Sequence, residues 1–222
     1  MTRVKLQKID TFSELEYESF RKMVSPEKLE RADRYKQKND YKRSLLADIT
    51  ARRMMEQETG IEAQDLDIRI DEFGKPYVNN VSNIFFNVSH AGDFVACIIS
   101  DNPCGIDIER AERKADIDIA KRFFAAEEYN FLMSLEEGKR AGTFFEMWTA
   151  KEAYTKYLGK GIVMGLDTFV LRKTDSGFDV FDDGVLKNKV VVLDIEGKYK
   201  LSCVCEDDDI VNIDVNFLNF YA

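Results

Sequence analysis

Histidine occurs once in this chain of 222 residues, tryptophan once and proline three times. With His90 alone, and no paired ligand spacing among Cys97, Cys104, Cys203 and Cys205, a zinc site lacks its ligands. The same shortage leaves Ser-His-Asp and Cys-His hydrolases poorly supported, because no second histidine exists and no cysteine is placed as a nucleophile. The cysteines sit in apolar or strand-like surroundings and read as reduced, buried thiols. Long apolar runs are missing too: the longest extend a few residues, against the ~20 that a membrane helix needs, which excludes a transmembrane span. Met1 to Asp10 mixes Arg3, Lys5 and Lys8 with single apolar residues and builds no signal-peptide block, so the expected location is the cytoplasm. Gly159-Lys160-Gly161 lacks Walker spacing and reads as a helix stop. There is no Pro/Gly/Ser linker and no low-complexity tract, and Asp207-Asp208-Asp209 reads as a charged hairpin tip.

What the chain does contain is 45% apolar residues, enough to bury a core, and a net charge of −9, which argues against general nucleic-acid binding. The total hides a local exception. Between Arg21 and Arg53 there are eleven basic residues against five acidic ones. Charge alone leaves three readings of this cluster: solvated helix faces, a site for a multiply charged anion, or a dock for an acidic protein partner. Divided near Pro103, the first part carries 16 basic and 18 acidic residues and the second 16 and 23, so an anion site should lean on the first part.

Ser25-Pro26-Glu27 predicts an N-cap with proline at the first helical position, and Asn39-Asp40 opens a second helix that stops at Gly60. From Leu66 the pattern changes. Leu66, Ile68 and Ile70 alternate with polar residues, Phe73-Gly74-Lys75-Pro76 predicts a turn, and Phe85 to Ser89 and Phe94 to Ser100 predict strands around Ala91-Gly92-Asp93. After Asn102-Pro103 the order recurs in outline: a strand from Cys104 to Glu109, helices between Asp116 and Leu158, then strands at Phe169, Phe178, Val190 to Ile195, Tyr199 to Cys205 and Ile210 to Phe217. The expected fold is α+β, two subdomains of similar size divided at 1–102 and 103–222.

In Gly105-Ile106-Asp107-Ile108-Glu109, strand alternation turns Ile106 and Ile108 to a core and puts Asp107 and Glu109 together on the opposite face. Two carboxylates so placed are either solvated or share a hard divalent cation. On a helical wheel, Phe144, Met147, Ala150, Tyr154, Tyr157 and Leu158 form an apolar arc, with Glu152 and Lys156 nearly opposite. Glutamate four residues before lysine is also the favoured helical ion pair, so periodicity makes these two a surface pair. His90, at a strand end before a glycine turn, is either a hydrogen-bonded structural residue or a phosphate ligand.

Phe73-Gly74-Lys75-Pro76, Phe86-Asn87-Val88-Ser89-His90, Gly105-Ile106-Asp107-Ile108-Glu109, Lys121-Arg122-Phe123-Phe124 with Glu128, and Trp148-x-x-Lys151-Glu152-Ala153-x-x-Lys156 stand in an order that resembles the Sfp-type 4′-phosphopantetheinyl transferases. The resemblance implies transfer of the phosphopantetheine arm of coenzyme A to a serine hydroxyl of an apo carrier protein (acyl, peptidyl or aryl), with release of adenosine 3′,5′-bisphosphate. It implies a monomeric pseudodimer, each subdomain a small antiparallel sheet packed with helices, with the active site in the groove between them. Asp107, Glu109 and Glu152 would hold Mg²⁺, or Mn²⁺; Glu152 would complete the metal site, accept the serine proton, or both; Lys156 would face the pyrophosphate. Lys28, Arg31, Arg43, Ser89 and His90 resemble the positions that bind the 3′-phosphate and its neighbours, and Lys75 the one beside the adenine. Either Glu127 or Glu128 could fill a further family position. Two other readings stay open on the residues: another Mg²⁺-dependent enzyme acting on a nucleotide, and a coenzyme A or carrier-protein binding module without catalysis.

Overall fold

The computed structural model describes residues 2–112, 115–161, 164–206 and 215–217. Helix α1 (Glu14–Phe20) opens on a capping box between Ser13 and Glu16. Helix α2 (Pro26–Asp33) starts where its sequence predicts, with Ser25 Oγ accepting the Lys28 N–H at 3.2 Å and Pro26 in the first turn. Helix α3 (Lys38–Thr59) ends at Gly60, whose φ of +72° is a left-handed stop that costs glycine little.

Two sheets follow from the strand patterns. The first has the order β11-β1-β5-β4, from β1 (Thr2–Lys8), β4 (Phe85–Ala91), β5 (Phe94–Ser100) and β11 (Val215–Phe217); its pairs are antiparallel except β1 with β11. The short hairpin β2 (Ile68–Ile70) with β3 (Pro76–Val78) stands apart. The second sheet, order β6-β10-β9-β8-β7, is antiparallel throughout and uses β6 (Cys104–Arg110), β7 (Val170–Lys173), β8 (Gly177–Asp182), β9 (Val185–Ile195) and β10 (Tyr199–Cys205). Three helices are inserted between β6 and β7: α4 (Ile117–Phe123), α5 (Ala126–Ser134) and α6 (Glu137–Leu158). The fold is therefore the expected α+β pseudodimer. Each half sets a sheet against one 22-residue helix, α3 or α6, that ends on a left-handed glycine.

The structure adds a strand that the opening residues were not expected to form. In β1, Val4 and Leu6 are buried while Arg3 and Lys5 alternate with them toward solvent, and the strand pairs with β5 along its whole length. The final strand, β11, returns from the second half to the first sheet. The proposed hairpin tip at 207–209 and the start of the strand predicted from Ile210 lie outside the described residues. Among the described residues no helix is long and apolar enough to cross a membrane.

The halves meet at the edges of β4 and β6. The Ile106 N–H donates to Asn87 Oδ1 at 3.0 Å and the Ile108 N–H to Ser89 Oγ at 3.3 Å, so side chains replace a backbone ladder. Beneath this seam one core is common to both halves, with Leu6, Phe94 and Ile98 against Ile106, Ile108 and Leu201. Above it α6 lies hard against β6 at Gly105, where an added Cβ would come 2.1 Å from the Ala153 carbonyl oxygen and 2.6 Å from the Tyr157 nitrogen. Those atoms are helix backbone and cannot rotate away. Gly105→Ala must lift α6 off the strand, and urea unfolding should show a loss of at least ~1–3 kcal/mol; unchanged stability would refute this packing.

Candidate active site

Asp107 sits at the seam. Its side chain is 8% exposed; Oδ1 accepts from Lys156 Nζ at 2.6 Å and from Ser89 Oγ at 2.8 Å. Lys156 also donates to the Ile106 carbonyl at 3.2 Å. The other carboxylate oxygen, Oδ2, is buried with no hydrogen-bond partner among the described residues. A buried anionic oxygen left unpaired is costly, and it is the kind of atom that a hard cation satisfies.

Glu152, half-buried one turn before Lys156 on α6, forms no ion pair among the described residues. Burial raises its pKa, and the nearby charge of Asp107 raises it further; Lys156 opposes this and Glu109 adds to it. Asp107 and Glu152 thus share the Lys156 ammonium, and the Asp107 oxygen left without a partner among the described residues is a place that a divalent cation would suit. The donor set suits Mg²⁺, which takes one or two carboxylates and fills the remaining positions with water or phosphate oxygens. As the side chains stand, no three such groups among the described residues converge in an ion-holding geometry, so the expected three-carboxylate set is not preassembled.

Cation-lined cavities run beside β4. One of about 220 Å³ is lined by Gly74, Lys75, Asn87, Val88 and Lys156. A second, about 200 Å³, shares Gly74, Pro76 and Val88 with it or its turn and brings in Lys28 and Arg31. Among the described residues these two cations form no ion pair, whereas Arg21, Arg34, Lys38, Lys42, Arg52 and Arg53 of the basic cluster are each held by a carboxylate. Burial, with Arg31 and Arg52 nearby, lowers the Lys28 pKa. A third cavity, about 360 Å³, is lined by Arg43, His90 and Glu109. Arg43 is tied to Asp40 and to the Gly92 carbonyl. His90 stands on the exposed rim, where the surrounding protein and then Arg43, with Lys156 and Lys28, hold its imidazole below its ordinary pKa.

Family comparisons agree with this geometry. Residues 11–102 match a model described as 4′-phosphopantetheinyl transferase, N-terminal, and residues 103–204 match the 4′-phosphopantetheinyl transferase superfamily. The 4′-phosphopantetheinyl transferase Sfp of Bacillus subtilis (strain 168) is 34% identical over 165 residues, covering 74% of this chain and 73% of its own. The 4′-phosphopantetheinyl transferase gsp of Aneurinibacillus migulanus is 35% identical over 198 residues, covering 88% and 81%. The chain belongs to the 4′-phosphopantetheinyl transferase superfamily.

Within this transferase fold two expected ligand contacts are occupied by the protein itself. The Ser89 hydroxyl donates to Asp107, and the Lys75 ammonium donates to three backbone carbonyls. The surface pair expected between Glu152 and Lys156 is not formed; Lys156 reaches from α6 to Asp107 on β6 instead. Glu128 and Lys151 form an ion pair at 2.7 Å with both side chains fully buried, and Glu128 also accepts the Ala125 and Leu171 N–H groups. Glu127 lies exposed beside Arg172. Helical spacing does put Lys151 on the apolar arc, seven residues after Phe144 and three before Tyr154, a signal for burial that its charge and its neighbour Glu152 obscure.

Because the Asp107 charge helps raise the Glu152 pKa, Asp107→Asn should lower it toward the usual carboxylate value. Carboxyl-carbon NMR titration of Glu152 in both proteins checks the sign; an unchanged or higher pKa would contradict the arrangement.

Proposed function

We propose that the chain is an Sfp-type 4′-phosphopantetheinyl transferase, acting as a cytoplasmic monomer. It moves the phosphopantetheine arm of coenzyme A to a serine of an apo acyl, peptidyl or aryl carrier protein and releases adenosine 3′,5′-bisphosphate. The observation that carries this reading is the unpartnered Asp107 oxygen at the seam, beside Glu152 and Lys156, with cavities beside β4 that Lys156 lines in one case and Lys28 and Arg31 in the other. Coenzyme A requires both kinds of group, since its pyrophosphate and 3′-phosphate carry the negative charge and the reacting phosphorus is the one in the pyrophosphate that bears the pantetheine arm.

In this reading Asp107, Glu109 and Glu152 would hold Mg²⁺ or Mn²⁺. Bound there, the ion offsets charge on the leaving bisphosphate. Lys28 and Arg31 bind the 3′-phosphate and its neighbours, with Arg43 of α3 and His90 near the end of β4, and the Lys75 turn borders the adenine. Ser89 keeps Asp107 oriented, and Lys156 faces the pyrophosphate. The carrier serine oxygen bonds to the phosphopantetheine phosphorus, the bond from that phosphorus to the bridging oxygen breaks, and Glu152 in its ionised form takes the serine proton. A raised Glu152 pKa means that turnover should climb with pH as this group ionises. Residues 1–102 thus supply coenzyme A contacts and 103–222 the carboxylates, while the basic helices steer an acidic carrier protein.

Intact-protein mass of an apo carrier protein incubated with this protein, coenzyme A and Mg²⁺ tests the reaction. The expected result is a gain of one phosphopantetheine that EDTA abolishes; no gain across several carriers, in a sample that binds coenzyme A, would favour a binding module without catalysis. Asp107→Ala and Glu152→Ala should each lower turnover by about 10² or more with little change in stability. Lys28→Ala should mainly raise KM for coenzyme A; a fall in kcat alone would move Lys28 out of the phosphate site.

A further inference from the structure

We infer that Lys75 is a positioning residue, a C-terminal cap that the first half of the fold delivers to helix α6 of the second, fixing the helix that bears Glu152 and Lys156 against the seam. The delivery begins with a rigid turn. Asp71 Oδ1 accepts the N–H groups of Phe73 at 2.9 Å and Lys75 at 2.8 Å, the Gly74 N–H bonds the Asp71 carbonyl at 3.1 Å, and the Asp71 N–H bonds the Lys75 carbonyl at 3.0 Å. Gly74 has a φ of +87°, which the tight reversal requires. From this turn the Lys75 side chain crosses to the other half, where Nζ donates to the carbonyls of Lys156 at 2.6 Å, Tyr157 at 3.3 Å and Cys104 at 3.3 Å.

Two of these acceptors are carbonyls in the last turn of α6, where the helix carries partial negative charge and a cation is favoured; the Lys156 carbonyl also accepts the Gly159 N–H at 3.2 Å. The third is the first residue of β6, so one ammonium ties the β2–β3 hairpin, the end of α6 and the start of the carboxylate strand. An ammonium has three hydrogens, and three carbonyls take them up. None is left for a phosphate. The strongest of the three bonds holds the carbonyl of Lys156 itself, whose side chain reaches Asp107. The Lys75 stem also has a place: Lys75, Pro76 and Gly159 line both the cavity containing Lys156 and a larger, mostly apolar one of about 500 Å³, so this side chain forms part of the wall between them.

The kinetic part of the test rests on the proposed transferase reading; the exchange part does not. Lys75→Met keeps the apolar stem and removes all three donors. Expected are a fall in kcat per folded molecule of about tenfold or more with KM for coenzyme A within about twofold, and amide hydrogen exchange about tenfold faster over residues 156–161 in the ligand-free protein. Lys75→Arg, which restores donors, should recover part of both. A raised KM with kcat and exchange unchanged would make Lys75 a ligand contact and overturn the cap. If wild-type protein modifies no carrier, the transferase reading fails while the exchange result still decides the cap. Should Lys75→Met not fold, Asp71→Ala unties the turn and leaves the lysine in place; the same acceleration is expected in smaller measure, and unaltered exchange overturns the inference.

Discussion

The contact between β4 and β6 is the constraint on which the rest of the structure depends. Each is an edge strand of its own sheet, and an exposed edge invites pairing with other chains. Here the two edges close on one another, but through Asn87 and Ser89 side chains rather than a backbone ladder. The join is therefore specified by two residues and a common core, not by generic strand pairing. Ser89 does two things with one hydroxyl: it accepts the Ile108 N–H that fixes the strands and donates to Asp107. The orientation of the carboxylate is thereby coupled to the junction of the two halves.

Lys151 and Glu152 are adjacent on α6 and meet opposite environments. Lys151 turns inward to Glu128, where the carboxylate also accepts two backbone N–H groups and the ammonium donates to the Leu166 and Phe169 carbonyls. Such a pair is fully compensated, which is the condition for holding charge in a core. Glu152 instead shares a half-buried space with Asp107 and Glu109, and among the described residues it forms no ion pair while one Asp107 oxygen has no partner. Satisfied burial marks the first pair as architecture. Incomplete compensation marks the second group as a place where charge from outside is accommodated, which is why the proposed metal and diphosphate belong there.

Local chemistry made much of the fold legible. Ser25 and Pro26 begin a helix because they satisfy or lack the orphan N–H groups of its first turn, and Gly60 and Gly159 end helices because they adopt positive φ. Alternation in residues 105–109 separates Ile106 and Ile108 from Asp107 as expected. The alternation of Val4 and Leu6 with charged neighbours carried the same signal for β1, in a stretch too short and basic to stand out. The site was only partly legible. Helical periodicity tells which side chains avoid their own sheet, so it put Glu152 and Lys156 outside; it carries no information about Asp107 approaching from a strand 49 residues away. The crossing of Lys75 to α6, over 81 residues, was hidden for the same reason.

The basic cluster shows why counting charges overstates an anion site. Most of its members are held by neighbouring carboxylates on α1, α2 and α3; of the four without an ion pair among the described residues, Lys22, Lys28, Arg31 and Lys36, it is Lys28 and Arg31 that line the cavity beside β4. These come from the first half, while Asp107, Glu109, Glu152 and Lys156 come from the second. Neither half holds both the cations and the carboxylates that a diphosphate with a divalent ion requires. Because α6 bears Glu152 and Lys156 and is packed on β6 without space even for a methyl group at Gly105, the carboxylates move as one body with their helix. The junction of β4 with β6 places that body beside the cations, so the contact that completes the common core also brings the two groups of side chains together.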